Sequence, residues 1–315
     1  MRRGSKTRCF AVAQHDTANR PCSQRRHEPN RGEIIKYNKS DFRIRQRAMQ
    51  IGIDKETLTQ ELRRLGVQRG MDVLVHSSLS SIGWVEGGAE TVINALLSAV
   101  SPAGTILMPA LNGSPEDSPQ NPPRMDVRTT PCPKWLGVIP ETFRRYPGVR
   151  RSLHPTHSVL ALGARADFYT EGHEHCLTPC GEGSPYVKLM DMGGYILLLG
   201  CNQQSNTSLH ALEELGEVPY HLQDEWTDGI VIDAEGREIV VRNRLHLWRW
   251  ERDFTVVDEP LREADAMREE MVGNAYCRLI HAGLLRQVVL PILKPEPLWL
   301  LSSRAREQFL RSSQR

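Results

Sequence analysis

The sequence predicts an α/β protein with a mixed, largely parallel central sheet flanked by helices and an additional antiparallel β-hairpin region toward the C-terminus. The segments MDVLVHSSL, AETVINALLSAVS and GTILMPAL follow one another as a β-loop-α-β unit, which favours parallel strands. Residues 195–199 are a short apolar run between Gly194 and Gly200, typical of a strand buried on both faces. The segment GIVIDAEGREIVVR predicts a hairpin that turns at residues 234–236.

The elements before the apolar run follow from spacing and capping signals. The segment DKETLTQELRRLG places leucines at helical spacing between Asp54, a predicted N-cap, and Gly66, a predicted stop. The segment IPETFRRYP predicts a short helix with proline in its first turn. Residues 159–162 predict a strand, and residues 166–178 a helix over it. Residues 112–134 form a loop dense in Pro, Asp and Asn, and such long polar loops are more often functional than linkers.

The elements after the apolar run are a helix, the hairpin and a tail. The helix begins near Ser208, and Asn206 or Thr207 can cap it. The β-like segment LHLWRW continues the hairpin. We expect a helix over residues 261–270 and a frayed helical tail after Ser303.

Composition divides the chain of 315 residues into three parts. Residues 1–50 are rich in Arg, Gln, Asn and Ser with little apolar periodicity, which predicts a disordered, basic N-terminal extension. Residues 51–303 are expected to form a single domain, and residues 304–315 a tail.

Charge and cysteine usage limit the class of partner. Forty basic and 38 acidic residues give a formal net charge of +2, so nothing favours a nucleic-acid partner. No apolar run is long enough to predict a membrane span. Seven scattered cysteines, an odd number, favour reduced thiols in a cytoplasmic protein. The oligomeric state stays open between monomer and homodimer.

The predicted helix after the apolar run carries a candidate acid–base pair. His210 and Glu213 are three residues apart and therefore share one helix face. A carboxylate so placed accepts the imidazole N–H and makes the other ring nitrogen a positioned general base. The pair lies just past the carboxyl end of a buried strand, where open α/β sheets bind ligands. A solvated surface pair is the alternative interpretation.

A second candidate is a loop rich in hydroxyl groups between the first predicted strand and the next helix, His76-Ser77-Ser78-Leu79-Ser80-Ser81-Ile82-Gly83. Its hydroxyls and backbone N–H groups can hold phosphate or amide oxygens. A helix-capping loop is the equal alternative. The loop lacks the Gly-Lys-Ser/Thr of a Walker motif and the Gly-x-Gly-x-x-Gly of a dinucleotide fingerprint.

Two other chemistries are disfavoured. The spacings His154-x-x-His157 and His173-x-His175-Cys176-x-x-x-Cys180 supply ligand types, but no Cys-x-x-Cys or His-Glu-x-x-His pair accompanies them, so we predict no metal. No Gly-x-Ser-x-Gly elbow predicts a serine hydrolase.

Four stretches together resemble the aminoglycoside N(3)-acetyltransferase family, also called the antibiotic N-acetyltransferase family. They are VHSSLSSIGWVEGGAETVINALL with GTILMPAL, GVIPETFRRYPGVRRSLHPTHSVLALG, GEGSPYVKL, and GYILLLG with NTSLHALEE. They stand in the family's order and cover about residues 54–285. The fragment DVRTTP also resembles, in shortened form, the family's acidic loop before IPETF.

The resemblance implies acetyl transfer from acetyl-CoA, without metal, to an amine of an aminoglycoside. His210 would be the general base and Glu213 the carboxylate that orients it. The loop over residues 76–83 would hold the phosphopantetheine and pyrophosphate of the cofactor. Four residues would line the acyl and pantetheine tunnel, namely His154, Ser158, Ser184 and Pro185. A polycationic acceptor would be recognised by polar and acidic groups, which we expect to be Asp117, Asp126 and Asn206.

Two other functions stay open beside this one. The loop over residues 112–133 is shorter than in the family's resistance enzymes and keeps fewer aromatic and acidic residues, so the acceptor could be a different amine metabolite or a peptide. A non-catalytic acyl-CoA-binding protein is the other alternative. Such a binder would not need His210 with Glu213, and both are present.

Overall fold

The computed structural model describes residues 52–313, so the predicted extension over residues 1–50 lies outside it. The strands of this part are β1 Asp72–Ser77, β2 Thr105–Pro109, β3 Arg124–Asp126, β4 Arg150–Arg151, β5 Val159–Gly163, β6 Tyr195–Leu199, β7 Leu222–Ile232, β8 Glu238–His246, β9 Met267–Val272 and β10 Ala275–His281. The α-helices are α1 Lys55–Leu65, α2 Leu79–Ile82, α3 Gly88–Val100, α4 Val138–Arg144, α5 Ala166–Thr170, α6 Pro185–Asp191, α7 Ser208–Leu215, α8 Asp258–Glu263, α9 Ala282–Leu293 and α10 Ser303–Ser312. Short 3₁₀ helices span Lys134–Leu136, His173–His175, Gln203–Ser205 and Phe254–Val257.

Two sheets carry the fold. The larger has seven strands in the order β4-β5-β2-β1-β6-β10-β9, and the smaller has the order β3-β7-β8. The predicted mixed α/β class and the additional hairpin are confirmed. Parallel pairing in the larger sheet is limited to β1 with β2 and β1 with β6, so its parallel share is smaller than predicted. The carboxyl ends of these three strands therefore meet at one edge.

The predicted helix over residues 261–270 is wrong. Helix α8 ends at Glu263, and Asp265 adopts a positive φ of 51°, a left-handed conformation that a helix cannot continue through. The chain then turns into β9, which pairs antiparallel with β10 at the sheet edge. Strand pairing at this edge outweighs the local helical pattern.

Strand β6 is buried on both faces, as its apolar run predicts. Ile196 and Leu198 belong to one hydrophobic cluster, whereas Leu197 and Leu199 belong to another. Successive side chains of a strand point to opposite faces, so β6 contributes to both cores at once. Helix α1 belongs to the second cluster and has the predicted caps, with Asp54 accepting from the Thr57 backbone N–H.

The C-terminal helix packs onto the protein, although we expected a frayed tail there. The Ser302 side chain accepts from the Ala305 backbone N–H and caps α10. The ring of Phe309 lies 5.3 Å from that of Trp250 and 6.2 Å from that of Tyr220. Among residues 52–313, no helix is both long and apolar enough to cross a bilayer.

Candidate active site

An open cleft lies at the edge where β1, β2 and β6 end, with a cavity volume of about 270 Å³. Each parallel strand, or the loop after it, contributes to its wall. The lining residues are Val75, His76, Ser77, Pro109, Leu111, Trp135, Leu136, Pro140, His157, Gln204, Ser205, Asn206, Thr207, His210 and Trp248. The exposed indoles of Trp135 and Trp248 give the cleft two large apolar surfaces. Sequence analysis singled out neither residue.

His210 and Glu213 form a close pair at the cleft. His210 Nδ1 lies 2.7 Å from Glu213 Oε2, while the Glu213 side chain is entirely buried. Burial lowers the pKa of His210, and Glu213 opposes that shift without cancelling it. The imidazole is therefore neutral at neutral pH. If Nδ1 carries the proton donated to Glu213, Nε2 is left as the basic nitrogen.

The Glu213 carboxylate is held from three sides. Besides His210, it lies 3.0 Å from His221 Nδ1 and accepts from Arg252 Nε at 3.2 Å. Burial alone would raise the pKa of Glu213, but His221, Arg252 and the hydrogen bonds hold it well below its usual value. Arg252 Nη2 also lies 2.9 Å from His221 Nδ1. A guanidinium only donates, so Arg252 would need Nδ1 of His221 as an acceptor, whereas Glu213 would need it as a donor. We assign a proton to His221 Nδ1, which then donates to Glu213, because the carboxylate can accept from both His221 and Arg252.

His221 lies between two buried carboxylates. Its Nδ1 faces Glu213, and its Nε2 lies 3.7 Å from Glu214 Oε1. Burial would lower the pKa of His221, but the attraction and hydrogen bond to Glu213, with the nearby Glu214 acting in the same direction, outweigh it and raise the pKa. Glu214 Oε1 is also 2.7 Å from His246 Nε2 and accepts from the Cys180 backbone N–H at 2.9 Å.

Histidine rings extend from this pair into the buried interior behind the cleft. Ring centroids are 4.0 Å apart for His221 and His246, 4.2 Å for His246 and His157, and 4.6 Å for His154 and His173. The rings of His210 and His246 are 5.1 Å apart. Apart from His154 and His157, these residues come from separate segments of the chain, so no local motif could have predicted the whole cluster.

The loop predicted to bind the cofactor divides at the end of β1. Only His76 and Ser77 of its residues line this cleft. His76 Nε2 and Ser77 Oγ are buried without a hydrogen-bond partner, and burial lowers the pKa of His76 to about 3. A neutral imidazole and a hydroxyl without partners are suited to bind the polar groups of a ligand.

The rest of the predicted loop forms the one-turn helix α2 and its flanks. Ser78 Oγ lies 2.8 Å from Ser81 Oγ, and Ile82 is wholly buried. Leu79 belongs to α2, Ser80 is exposed, and Gly83 ends the helix with a φ of 100°. A cofactor role for these residues stays a prediction.

The four residues predicted for a tunnel do not contribute to the cleft lining among residues 52–313. Ser184 Oγ donates to the Cys180 carbonyl at 2.7 Å and caps α6, and Pro185 is the first residue of that helix. Ser158 Oγ donates to the Ala110 carbonyl at 2.8 Å. His154 Nδ1 accepts from two backbone N–H groups. The structure thus gives each side chain but that of Pro185 a hydrogen bond within the protein.

Of the three residues predicted to bind the acceptor, only Asn206 lines the cleft. Its amide donates to Gln203 Oε1 at 2.9 Å. Asp117 accepts from the Ser114 backbone N–H, and burial raises its pKa. Asp126 lies in β3, where the hydrogen bond from the Arg128 side chain lowers its pKa. Within the described residues, no carboxylate lines the cleft itself.

Two histidine-containing groups have the residue types of a metal site, although the sequence predicted none. The first group consists of His210, His221 and His246, and the second of His157, Cys180 and His246. Within each group, one candidate ligand atom from each residue lies within 4.8 Å of the others. The rings of His210 and His221 are stacked at an angle of 15°, and both place Nδ1 against Glu213. The contacts with the Glu213 carboxylate therefore account for the close approach of His210 and His221.

Comparison with known proteins shows one family. The family model described as aminoglycoside 3-N-acetyltransferase matches residues 74–294. The SPbeta prophage-derived aminoglycoside N(3')-acetyltransferase-like protein YokD of Bacillus subtilis is 37% identical over 243 residues, which are 71% of this chain and 86% of that protein. Aminoglycoside N(3)-acetyltransferase III of a Salmonella species is 40% identical over 242 residues, which are 71% of this chain and 80% of that protein.

Solved structures agree with these matches. AAC-IIIb in a binary complex with CoASH has a TM-score of 0.65 and 26% identity, covering 77% of this chain and 96% of that one. AAC-VIa bound to sisomicin has a TM-score of 0.67 and 28% identity, covering 78% of this chain and 98% of that one.

Proposed function

This chain belongs to the aminoglycoside 3-N-acetyltransferase family, and from that premise we propose its reaction. It transfers acetyl from acetyl-CoA to the 3-amino group of the 2-deoxystreptamine ring of aminoglycosides. The observation that carries the proposal is the His210–Glu213 pair at the wall of the cleft. Relatives that bind CoASH and sisomicin support the donor and the acceptor class. Modification of the drug would confer antibiotic resistance.

The pair fits the chemistry of an amine attacking a thioester. An ammonium group has no lone pair, so the acceptor must lose a proton before or during attack. His210 Nε2 is placed to take that proton, because Nδ1 is held by Glu213. Glu213 stays ionised at neutral pH and stabilises the imidazolium that forms.

The donor would bind at the ends of the parallel strands. His76 and Ser77 line the cleft and carry buried polar atoms without partners, so they fit the amide and carbonyl groups of a pantetheine arm. The loop over residues 78–83 would contribute to the diphosphate site, and Ser80 is its exposed hydroxyl. Neither role needs a metal.

One observation favours a different acceptor as the second candidate. Carboxylates attract polycationic sugars, yet among residues 52–313 the cleft is lined by aliphatic, indole, imidazole, amide and hydroxyl groups and by no carboxylate. A small amine with an apolar surface would suit a cleft that exposes the indoles of Trp135 and Trp248. Acetyl transfer would then be unchanged in mechanism but different in substrate.

A thiol-release assay with acetyl-CoA separates the candidates. Aminoglycosides with a free 3-amino group should be turned over, and the same compounds already acetylated at that position should not. Mass spectrometry should show the addition of one acetyl group. Turnover of simple aromatic or aliphatic amines alone would support the second candidate. Acetyl-CoA binding without turnover of any amine would support a non-catalytic binder.

A further inference from the structure

We propose that His157 is a second catalytic residue, whose ring N–H donates a hydrogen bond to the thioester oxygen as that oxygen becomes negative. The inference rests on the proposed function and adds to it the group that stabilises the tetrahedral intermediate. Sequence analysis noted His157 as a metal-ligand type and did not assign it to the site.

The position of His157 places it in the same cleft as the base. Its ring lines the cleft although only 3% of the residue is exposed. His246 lies between the two, with its ring centroid 4.2 Å from that of His157 and 5.1 Å from that of His210. A substrate in this cleft would therefore contact both histidines.

The hydrogen bonds around Thr156 determine which nitrogen of His157 carries the proton. His154 Nδ1 accepts from the backbone N–H groups of Thr156, at 3.3 Å, and His157, at 3.1 Å. One lone pair shared by two donors leaves no room for a third, although the Thr156 hydroxyl lies 3.3 Å away. The same hydroxyl lies 2.9 Å from His157 Nδ1, and we therefore assign it as the donor to that nitrogen. His157 Nδ1 is then an acceptor, and the proton of the neutral ring is on Nε2.

His157 Nε2 is the nitrogen free to bind a ligand. Among residues 52–313, no hydrogen bond reaches Nε2, whereas Nδ1 has Thr156. The pKa of His157 lies well below its usual value, mainly because the ring is buried and also because His246, His210 and His221 are nearby. Glu214 opposes this lowering of the pKa only in part. A neutral ring with a fixed N–H is a donor that needs little reorganisation when charge develops on the substrate.

The two histidines divide the reaction between them. The amine nitrogen attacks the carbonyl carbon, the N–C bond forms, and the π electrons move onto oxygen, where His157 Nε2–H donates without losing its proton. His210 takes the proton of the attacking amine. The C–S bond then breaks with its electron pair on sulfur, and that proton passes from His210 to the sulfur. The products are the amide and the free thiol.

Two substitutions of His157 separate catalysis from packing. Glutamine carries an amide N–H near the position of Nε2, whereas asparagine reaches only as far as Nδ1. We expect His157→Asn to lower kcat by about 10²–10³, the loss found when one oxyanion donor is removed. His157→Gln should recover at least a tenth of wild-type kcat. The KM for acetyl-CoA and the melting temperature should be similar in both variants.

A change at Thr156 tests the tautomer without touching the substrate. Thr156→Val removes the hydroxyl that donates to Nδ1 and lets the ring adopt the other tautomer, so kcat should fall by about tenfold or more. Thr156→Ser keeps a hydroxyl and should stay near wild type.

The possible outcomes differ for the two proposals. If wild type turns over aminoglycosides while His157→Asn and His157→Gln both keep wild-type kcat, the role of His157 is wrong and the acetyltransferase stands. Equal losses in the two variants would likewise overturn the donor role. If wild type acetylates no amine, both proposals fail together.

Discussion

His210 Nδ1 lies 2.7 Å from Glu213 Oε2, and the Glu213 carboxylate is itself fixed by Arg252 and His221. A carboxylate that accepts from three donors is held in one orientation. Its hydrogen bond with Nδ1 then fixes the orientation of the His210 ring. The pair on one helix face thus becomes a positioned base only through residues on other segments.

Removal of the base should abolish most turnover. His210→Ala should lower kcat by about 10²–10⁴, because proton removal from the acceptor is lost. Acetyl-CoA affinity, measured by calorimetry, should stay within a few-fold of wild type. Near-wild-type turnover in this variant would mean that another group removes the proton.

Neutralisation of Glu213 should have a smaller effect than loss of His210. Glu213→Gln can still accept the imidazole hydrogen bond but cannot stabilise an imidazolium electrostatically. We expect a kcat between those of wild type and His210→Ala, measured under the same conditions. A loss as large as that of His210→Ala would contradict the supporting role of Glu213 and make its charge as necessary as the base.

The pH profile should show the base at an unusually acidic position. Burial lowers the pKa of His210 from its usual 6.5, so kcat/KM should rise with pH through a value below 6.5 as the ring loses its proton. A second rise at higher pH belongs to the acceptor amine and should move when the amine is changed.

The carboxylate provides the control for that assignment. Glu213 favours the protonated form of His210, so Glu213→Gln should move the acidic limb to still lower pH. The amine limb should not move. An acidic limb unchanged by Glu213→Gln would assign it to a different group.

Local sequence patterns predicted the elements around the site because each depends on neighbouring residues. The apolar run of β6, the hairpin of β7 and β8 and the capped helix α1 all follow from spacing within one segment. The same rules failed for β9, whose partner β10 determines its conformation. The helix α10 was predicted as frayed because its contact with Trp250 is not visible in its own sequence.

The site was predictable only where its parts lie close together in the chain. His210 and Glu213 are three residues apart, and helical spacing brings them together. Arg252, His221 and His157 reach the same place from other segments, and no spacing rule connects them. Clustered hydroxyls marked the loop after β1 as a candidate, but only the structure shows that His76 and Ser77 are its members that line the cleft.

Arg252 should matter more for stability than an arginine on the surface. Its guanidinium pairs with the wholly buried Glu213, so Arg252→Met leaves a buried carboxylate with fewer partners. Breaking such a pair costs about 3–5 kcal/mol in free energy of unfolding. The matched control is Arg262→Met, because Arg262 pairs with Glu269 at a half-exposed position, where a pair contributes about 0–1 kcal/mol. Similar losses in the two variants, measured by urea unfolding, would contradict the structural role of Arg252.

The exposed hydroxyl of the loop after β1 tests where the phosphates bind. Ser80→Glu places a negative charge at the proposed diphosphate site, so acetyl-CoA affinity should fall by about tenfold or more. The melting temperature should change little, because Ser80 is exposed. Ser303→Glu is the control, since Ser303 is also exposed but lies in α10. Equal affinities in the two variants would place the phosphates away from this loop.

Gly200 directly follows the central strand β6, packs against the loop after β1 and should tolerate no side chain. Its φ of 74° is left-handed, and an added Cβ would lie 2.7 Å from the Ser81 Cβ and 3.1 Å from the Ala275 Cβ. Gly200→Ala should therefore destabilise the protein by more than about 1 kcal/mol, through backbone strain and contact together. Because the Ser78 backbone N–H donates to the Leu199 carbonyl next to Gly200, displacement of this turn should also weaken acetyl-CoA binding. Gly70→Ala is the control, since Gly70 is likewise left-handed with a φ of 85° but has no atom near its Cβ position. Gly70→Ala should show the loss of stability from strain alone and should bind acetyl-CoA with wild-type affinity. If Gly200→Ala also binds acetyl-CoA with wild-type affinity, the turn at Gly200 does not support the cofactor site.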